Sequence, residues 1–167
     1  IKRSDAEKAL NLLHEDFFLS DIKKVHLFVA GTGNVGKQFI RLITEQQEDF
    51  KKEFNLQFQL AGIINSRKML VRKEGIPWEK AVSELEDTGD TTQWDTFFNN
   101  MLALNLRNSV FVDNTASEDV SRVYEQILQK SISVATCNKI AASGDYSNYS
   151  KLKNLAQRNR AHFLFET

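Results

Sequence analysis

Three glycines stand in the run Gly31-Thr32-Gly33-Asn34-Val35-Gly36, between a short apolar stretch, Val25 to Ala30, and a segment with apolar residues at helical spacing, Phe39, Ile40, Leu42 and Ile43. A bare G-x-G-x-x-G is common by chance, but its place between a buried strand and an amphipathic helix makes it specific. There Gly31 can make a tight turn, Gly33 can let backbone approach a diphosphate, and Gly36 can let helix pack closely on strand. The helix N-terminus adds unpaired N–H groups and about half a positive charge, so an anion can be held without a lysine. The chemistry indicated is dinucleotide binding, with Gly31, Thr32, Gly33, Asn34, Val35 and Gly36 as contacts.

Folds of this kind write cofactor choice at the end of the second strand, with an acid for the ribose 2′-hydroxyl of NAD or cations for the 2′-phosphate of NADP. Here the sequence reads Asn65-Ser66-Arg67-Lys68. No carboxylate is present, Arg67 can grip a phosphate bidentately and Lys68 can add charge. NADP is the expected cofactor; NAD stays open, because both cations also suit a solvated loop.

Ligands in open α/β sheets lie beyond the carboxyl ends of the strands, and two later clusters fall there. In Asp113-Asn114-Thr115-Ala116-Ser117, small side chains let a flat nicotinamide ring approach, while Ser117 also suits a helix cap. In Thr136-Cys137-Asn138-Lys139, the lysine can reach toward a carbonyl or carboxylate of a substrate or can be a surface residue. Cys137 lacks a nearby histidine and reads as an inert packing residue. His14, His26 and His162 have no metal-ligand spacing and read as structural.

The elements that must position these clusters alternate. Ser4 with Glu7 forms a capping box for an opening helix to about Leu19. Strands fit Val25 to Ala30, Gln57 to Asn65, Val110 to Asp113, Ile132 to Thr136 and His162 to Phe165. A helix from Gly36 dissolves into the charged stretch Glu45 to Glu53, a crossover helix spans Ser117 to Lys130, and a third, capped by Ser147, runs through Arg160. Arg67 to Asn108 is hard to place, with a short strand near Met69 to Arg72 and helical patches around Trp78 to Leu85 and Gln93 to Leu104. The fold class is α/β: a Rossmann-like, doubly wound, mostly parallel sheet with helices on both faces. The expected division is an N-terminal helix or linker over 1–23 and a nucleotide-binding domain over 24–167.

Composition sets the outer limits. The 22 basic and 22 acidic residues cancel, so no bulk field gathers nucleic acid or an anionic membrane. The lone cysteine cannot form an internal disulfide, and no apolar run nears the roughly 20 residues that span a bilayer. A cytoplasmic protein is expected, with a small-molecule substrate and without nucleic-acid or membrane partners. Ile1 in place of a methionine reads as the start of a piece excised from a longer protein.

Taken together, Leu27 to Ile40, Ile64 to Lys68, Val110 to Ser117, Ser133 to Ala141 and Phe163 to Thr167 resemble homoserine dehydrogenases in order and spacing. The pairing of V-D-N-T with a downstream T-x-N-K is far more specific than the glycine loop. Leu13 to Phe18 resembles the linker of fused aspartokinase–homoserine dehydrogenases. The resemblance implies reduction of L-aspartate 4-semialdehyde to L-homoserine with NAD(P)H, on the route to threonine and methionine, in a homo-oligomeric parent. It places Thr115, with Ala116 and Ser117, near the nicotinamide, and Asn138 and catalytic Lys139 near the cofactor and reacting centre. It puts Glu166 where the family holds a monovalent cation such as Na+. Cys137 replaces the family's usual proline. The substrate half lies beyond Thr167 in the family, so this piece alone is expected to be inactive. Two other readings stay open: a non-catalytic dinucleotide-sensing module, and the cofactor half of another semialdehyde or imine reductase.

Overall fold

β-Branched and aromatic residues in short runs form the strands, and nearly continuous apolar runs mark those covered on both faces. The computed structural model describes residues 22–140 and 145–165. In chain order they form β1 (Lys23–Ala30), α1 (Asn34–Phe54), β2 (Leu56–Ile64), β3 (Lys68–Ile76), a 3-10 turn (Trp78–Lys80), α2 (Ala81–Thr88), β4 (Asp90–Thr91), α3 (Trp94–Leu104), β5 (Ser109–Asp113), α4 (Glu118–Arg122), α5 (Tyr124–Gln129), β6 (Ser133–Thr136), α6 (Tyr146–Arg158) and β7 (Phe163–Phe165). The expected opening helix, Ser4 to about Leu19, lies outside the described residues.

These strands make one sheet in the order β4-β3-β2-β1-β5-β6-β7. From β2 to β7 all neighbours run parallel, whereas β3 lies antiparallel to β2 and β4 antiparallel to β3. Successive residues of β1 point to opposite faces, as strand geometry requires. Phe28 and Ala30 join a core with Phe97, Phe111, Tyr124 and Phe163. Leu27 and Val29 join the other, with Ile40, Ile43, Ile63, Trp78 and Leu85. The doubly wound expectation therefore holds on both faces.

Several boundaries differ from the sequence reading. α1 starts at Asn34 and runs unbroken through the charged stretch to Phe54, where left-handed Asn55 (φ 52°) ends it and donates to Phe50 O. Lys51 and Lys52 in its last turn complement the helix dipole. The crossover after β5 is two short helices, α4 and α5, divided at Val123, whose φ of −88° and ψ of −5° depart from ideal α-helical values. Ser117 stands at the N-cap position of α4 without a side-chain cap bond. α6 is capped by Asp145, whose carboxylate accepts from Ser147 N, rather than by Ser147 itself. That bond holds the Asp145 carboxyl below the usual carboxylate range.

The stretch hard to place becomes a hairpin and two helices. Asn65 makes its turn: Oδ1 accepts from Arg67 N and Lys68 N, both at 2.8 Å, and Asn65 N donates to Lys68 O at 2.9 Å. β2 thus returns directly as β3, and no helix crosses over at this edge.

Candidate functional site

β1 lies between β2 and β5; the chain leaves it toward β2 on one side and, after β4 and α3, returns to β5 on the other. Helices must diverge at such a switch point, which leaves a crevice above the carboxyl ends. A cleft of about 420 Å³ opens there. It is lined by Gly31, Thr32 and Gly33 after β1, by Asn65, Ser66 and Arg67 after β2, and by Asn114, Thr115, Ala116 and Ser117 after β5. Trp94, at the start of α3, closes one side with its indole stacked on Phe98 at 6.0 Å.

The loops after β1, β5 and β6 are each latched to the sheet by a backbone bond. Gly31 N donates to Ile64 O at 2.8 Å, Asn114 N to Ala30 O at 2.9 Å, and Cys137 N to Asp113 O at 3.0 Å. Each loop is thereby fixed to the end of its neighbouring strand before it turns away.

The three glycines have separate duties. Gly31 has φ +91°, a conformation that side chains disfavour. A Cβ at Gly36 would stand 2.0 Å from Gly31 O, so this glycine permits the close contact of α1 with the turn. At Gly33 a Cβ would meet nothing within 4 Å, so packing of the protein does not require glycine there. α1 begins at that point with no side-chain cap and no acidic residue in its first turn. Its N–H groups therefore face the cleft side without a competing side-chain acceptor. Asn34 and Val35 are exposed and do not line the cleft.

At the second loop Arg67 lines the cleft, its guanidinium 3.4 Å from Glu86 Oε1 of α2. With side chains 75% and 40% exposed, this pair is worth at most about 1 kcal/mol and yields readily to a stronger anion. Lys68 is turned elsewhere: its Nζ donates to Gly89 O at 2.9 Å, and it does not line the cleft.

The opposite end rests on a buried network around Asp113, which is 0% exposed. Its Oδ1 accepts from Thr115 N at 2.7 Å, and its Oδ2 from Tyr124 Oη at 2.5 Å and Asn138 Nδ2 at 3.2 Å. Asn138 Nδ2 also donates to Ser117 O at 2.8 Å, and its Oδ1 accepts from Ile140 N at 3.1 Å. Asn138 therefore ties the loop after β6 to the loop after β5. Burial, reinforced by Asp113, pushes the Tyr124 phenol well above its ordinary range, so it remains an O–H donor. Lys139 is exposed on this loop. Cys137 is exposed too, which corrects the expectation of a packed residue.

A buried amide of the cleft is unspent. Asn114 Nδ2 has no hydrogen-bond partner, a costly state for a buried donor unless a ligand accepts from it. Open space at Gly33, an uncapped helix start and an orphan amide in one crevice fit a dinucleotide with its diphosphate at the glycine loop. Among the described residues no cluster of three or more His, Cys, Asp or Glu could hold a metal ion. Glu166 lies outside the described residues. No described helix is long and apolar enough to cross a membrane.

Sequence reasoning missed Trp94 and Glu86, which enter the site from the stretch it could not place. Tyr124 was hidden in a helix whose apolar face alone gives no sign of a polar duty.

A family model described as the NAD binding domain of homoserine dehydrogenase matches residues 31–166. The bifunctional aspartokinase/homoserine dehydrogenase 2, chloroplastic, of Arabidopsis thaliana is 34% identical over 167 residues, which covers 99% of this chain and 18% of that protein. The bifunctional aspartokinase/homoserine dehydrogenase of Haemophilus influenzae is 29% identical, over 100% of this chain and 20% of that protein. The chain thus spans about a fifth of the length of these curated relatives. A hyperthermophilic archaeal homoserine dehydrogenase solved in complex with NADPH shares the fold, with TM-score 0.66 and 22% identity over 86% of this chain and 44% of that one. The homoserine dehydrogenase of Thermoplasma acidophilum superposes with TM-score 0.64 at 19% identity, over 86% of this chain and 43% of that one. Glycine loop, switch-point cleft and sequence likeness agree: the chain belongs to the homoserine dehydrogenase family, as its NAD-binding domain.

Proposed function

We propose that the chain is the cofactor half of an enzyme that reduces L-aspartate 4-semialdehyde to L-homoserine with NADPH, and accepts NADH as well. The observation that carries this reading is the juxtaposition of Gly33, the uncapped start of α1 and the orphan Asn114 amide in the switch-point cleft. The names of the relatives supply the substrate. The domain is taken to span 24–167, with 1–23 a preceding helix or linker.

When bound, the cofactor supplies the hydride. The protein's own groups bind, orient and polarise. Backbone N–H groups of the loop after Gly31, at the start of α1, receive the diphosphate, Gly33 leaves the room for it, and Gly31 N holds the loop to Ile64 O. Arg67 takes the 2′-phosphate, while Asn65 and Ser66 shape the turn that carries it. Thr115, Ala116 and Ser117 form a low wall against the nicotinamide. Asn138 acts through the network, because its amide is already committed to Asp113 and Ser117. Lys139, exposed at the reacting end, is assigned to polarise the substrate carbonyl or pair with its carboxylate. Glu166 is assigned to a monovalent cation. The parent enzyme is taken to be a cytoplasmic homo-oligomer.

NADPH absorbance followed with aspartate semialdehyde tests the reading on the full-length protein that carries this chain. Turnover is expected, and Lys139→Ala should lower kcat at least about tenfold with less effect on NADPH affinity. Cofactor binding without turnover of the semialdehyde would overturn the assigned reaction. Full activity in the lysine variant would overturn its role.

A further inference from the structure

The end of β2 carries no carboxylate in sequence, yet α2 delivers one there in space. Glu86 Oε1 stands 3.4 Å from Asn65 Nδ2 and 3.4 Å from Arg67 Nη2, and both of those residues line the cleft. Asn65 Nδ2 also donates to Thr32 Oγ1 at 3.1 Å, so one side chain links Glu86 to the glycine loop. Glu86 remains 40% exposed, open to a ligand at the rim. Its acidic neighbour on the same helix, Glu84, is taken by Arg72 of β3, away from the cleft.

A tether alone does not explain this placement. α2 is already tied to β3 by Arg72, which bonds Glu84 and Thr88, and by Lys68, which bonds Gly89 O. Glu86 adds an exposed pair of small worth to that attachment. Its position has a larger consequence for whatever occupies the rim. A 2′-phosphate brought to Arg67 meets a second anion already on the guanidinium, which it must displace or endure. A ribose 2′-hydroxyl has no charge to repel and has a proton to donate, and a carboxylate is its best acceptor.

We infer that Glu86 sets the balance between NAD(H) and NADP(H), accepting from the ribose hydroxyl of the first and competing with the 2′-phosphate of the second for Arg67. This inference rests on the reading of the cleft as a dinucleotide site. It makes the cofactor preference a contest between one arginine and one glutamate contributed by different elements, β2's turn and α2.

The test is calorimetric titration of the full-length protein with NAD+, NADP+, AMP and adenosine 2′,5′-bisphosphate. The last two isolate the 2′-phosphate from the rest of the cofactor. In Glu86→Gln, which keeps the side-chain size, the preference for NADP+ over NAD+ is expected to rise about four- to twentyfold. That range is what one charge about 5 Å from another contributes at an effective dielectric from about 40 up to that of water, as suits a solvent-exposed rim. The bisphosphate should gain over AMP in parallel. Glu86→Ala should move both ratios the same way, and the gain should shrink in an Arg67→Ala background. Unchanged or reversed ratios in folded Glu86 variants, with wild type binding the cofactors, overturn this inference and leave the dinucleotide site standing. Failure of the wild-type protein to bind any of the four overturns the dinucleotide site and this inference with it.

Discussion

At the glycine loop, what faces the cleft is backbone: N–H groups of a helix start and a Cα with no Cβ. At the other end, the loops after β5 and β6 are held by side chains, with Asp113, Tyr124, Thr136 and Asn138 all buried and bonded to one another. The two ends therefore fail differently. A backbone site is damaged by adding atoms and keeps its fold. A buried side-chain network is damaged by removing atoms, and the fold suffers first, because each donor left behind keeps its desolvation cost.

Three substitutions can break or sharpen that contrast. The largest effect is expected from Asp113→Ala, which removes the shared acceptor of Thr115 N, Tyr124 Oη and Asn138 Nδ2. Unfolding by urea should show a loss of about 3–5 kcal/mol. A loss below about 1 kcal/mol would mean that the network contributes little to the fold. Next, Gly33→Val should weaken dinucleotide binding at least about a hundredfold, since its side chain occupies the space kept for the ligand. Its stability should fall by less than about 1 kcal/mol, as expected of a branched residue at a helix cap position. A binding loss that tracks unfolding would erase the distinction between the two ends. The smallest effect belongs to Tyr124→Phe, about 1–2 kcal/mol for one buried hydrogen bond. Here pH adds a signature. The folded phenol titrates above its ordinary value near 10, so its contribution is complete below that pH and drains away as pH rises from there toward the folded value. Wild type should lose stability above about pH 10 more steeply than the phenylalanine variant in alkaline denaturation. Parallel curves would place the phenol outside the stabilising network.

The parallel half of the sheet was legible because β1, β2, β5, β6 and β7 are apolar runs closed by turn residues, which buried strands require. The glycine loop was legible because backbone geometry dictates residue type there. The β3–β4 edge was legible only in part: the short strand expected near Met69 to Arg72 falls within β3, but its full length and antiparallel pairing were not foreseen. Lys68–Ile76 mixes Lys, Arg and Glu with Met, Leu and Val, since an edge strand needs only partial cover, and its pattern fits neither a buried strand nor a helix. That gap hid part of the rim: Trp94 lines the cleft and Glu86 bonds two residues that line it, by tertiary packing that no local spacing announces. Arg67 and Lys68 both read as cofactor contacts in sequence. Only the hairpin separates them, sending Lys68 to Gly89 O and leaving Arg67 at the cleft. Likewise Asp145 and Ser147 both suit a cap, and the bond from Ser147 N to Asp145 decides between them.

The three latches from Gly31, Asn114 and Cys137 to the strand ends have a bearing on motion. An amide locked to the terminus of a central strand opens only when the strand itself does, so these three should exchange their hydrogens with the slowest class of the domain. The floor of the crevice is then as persistent as its core, and a visiting molecule has little left to order there. Breathing is confined to the rim, where the Arg67 side chain is held to Glu86 by a single weak contact. Entry and release would be timed by that rim, on the fast scale of surface side chains, while the bed beneath keeps still.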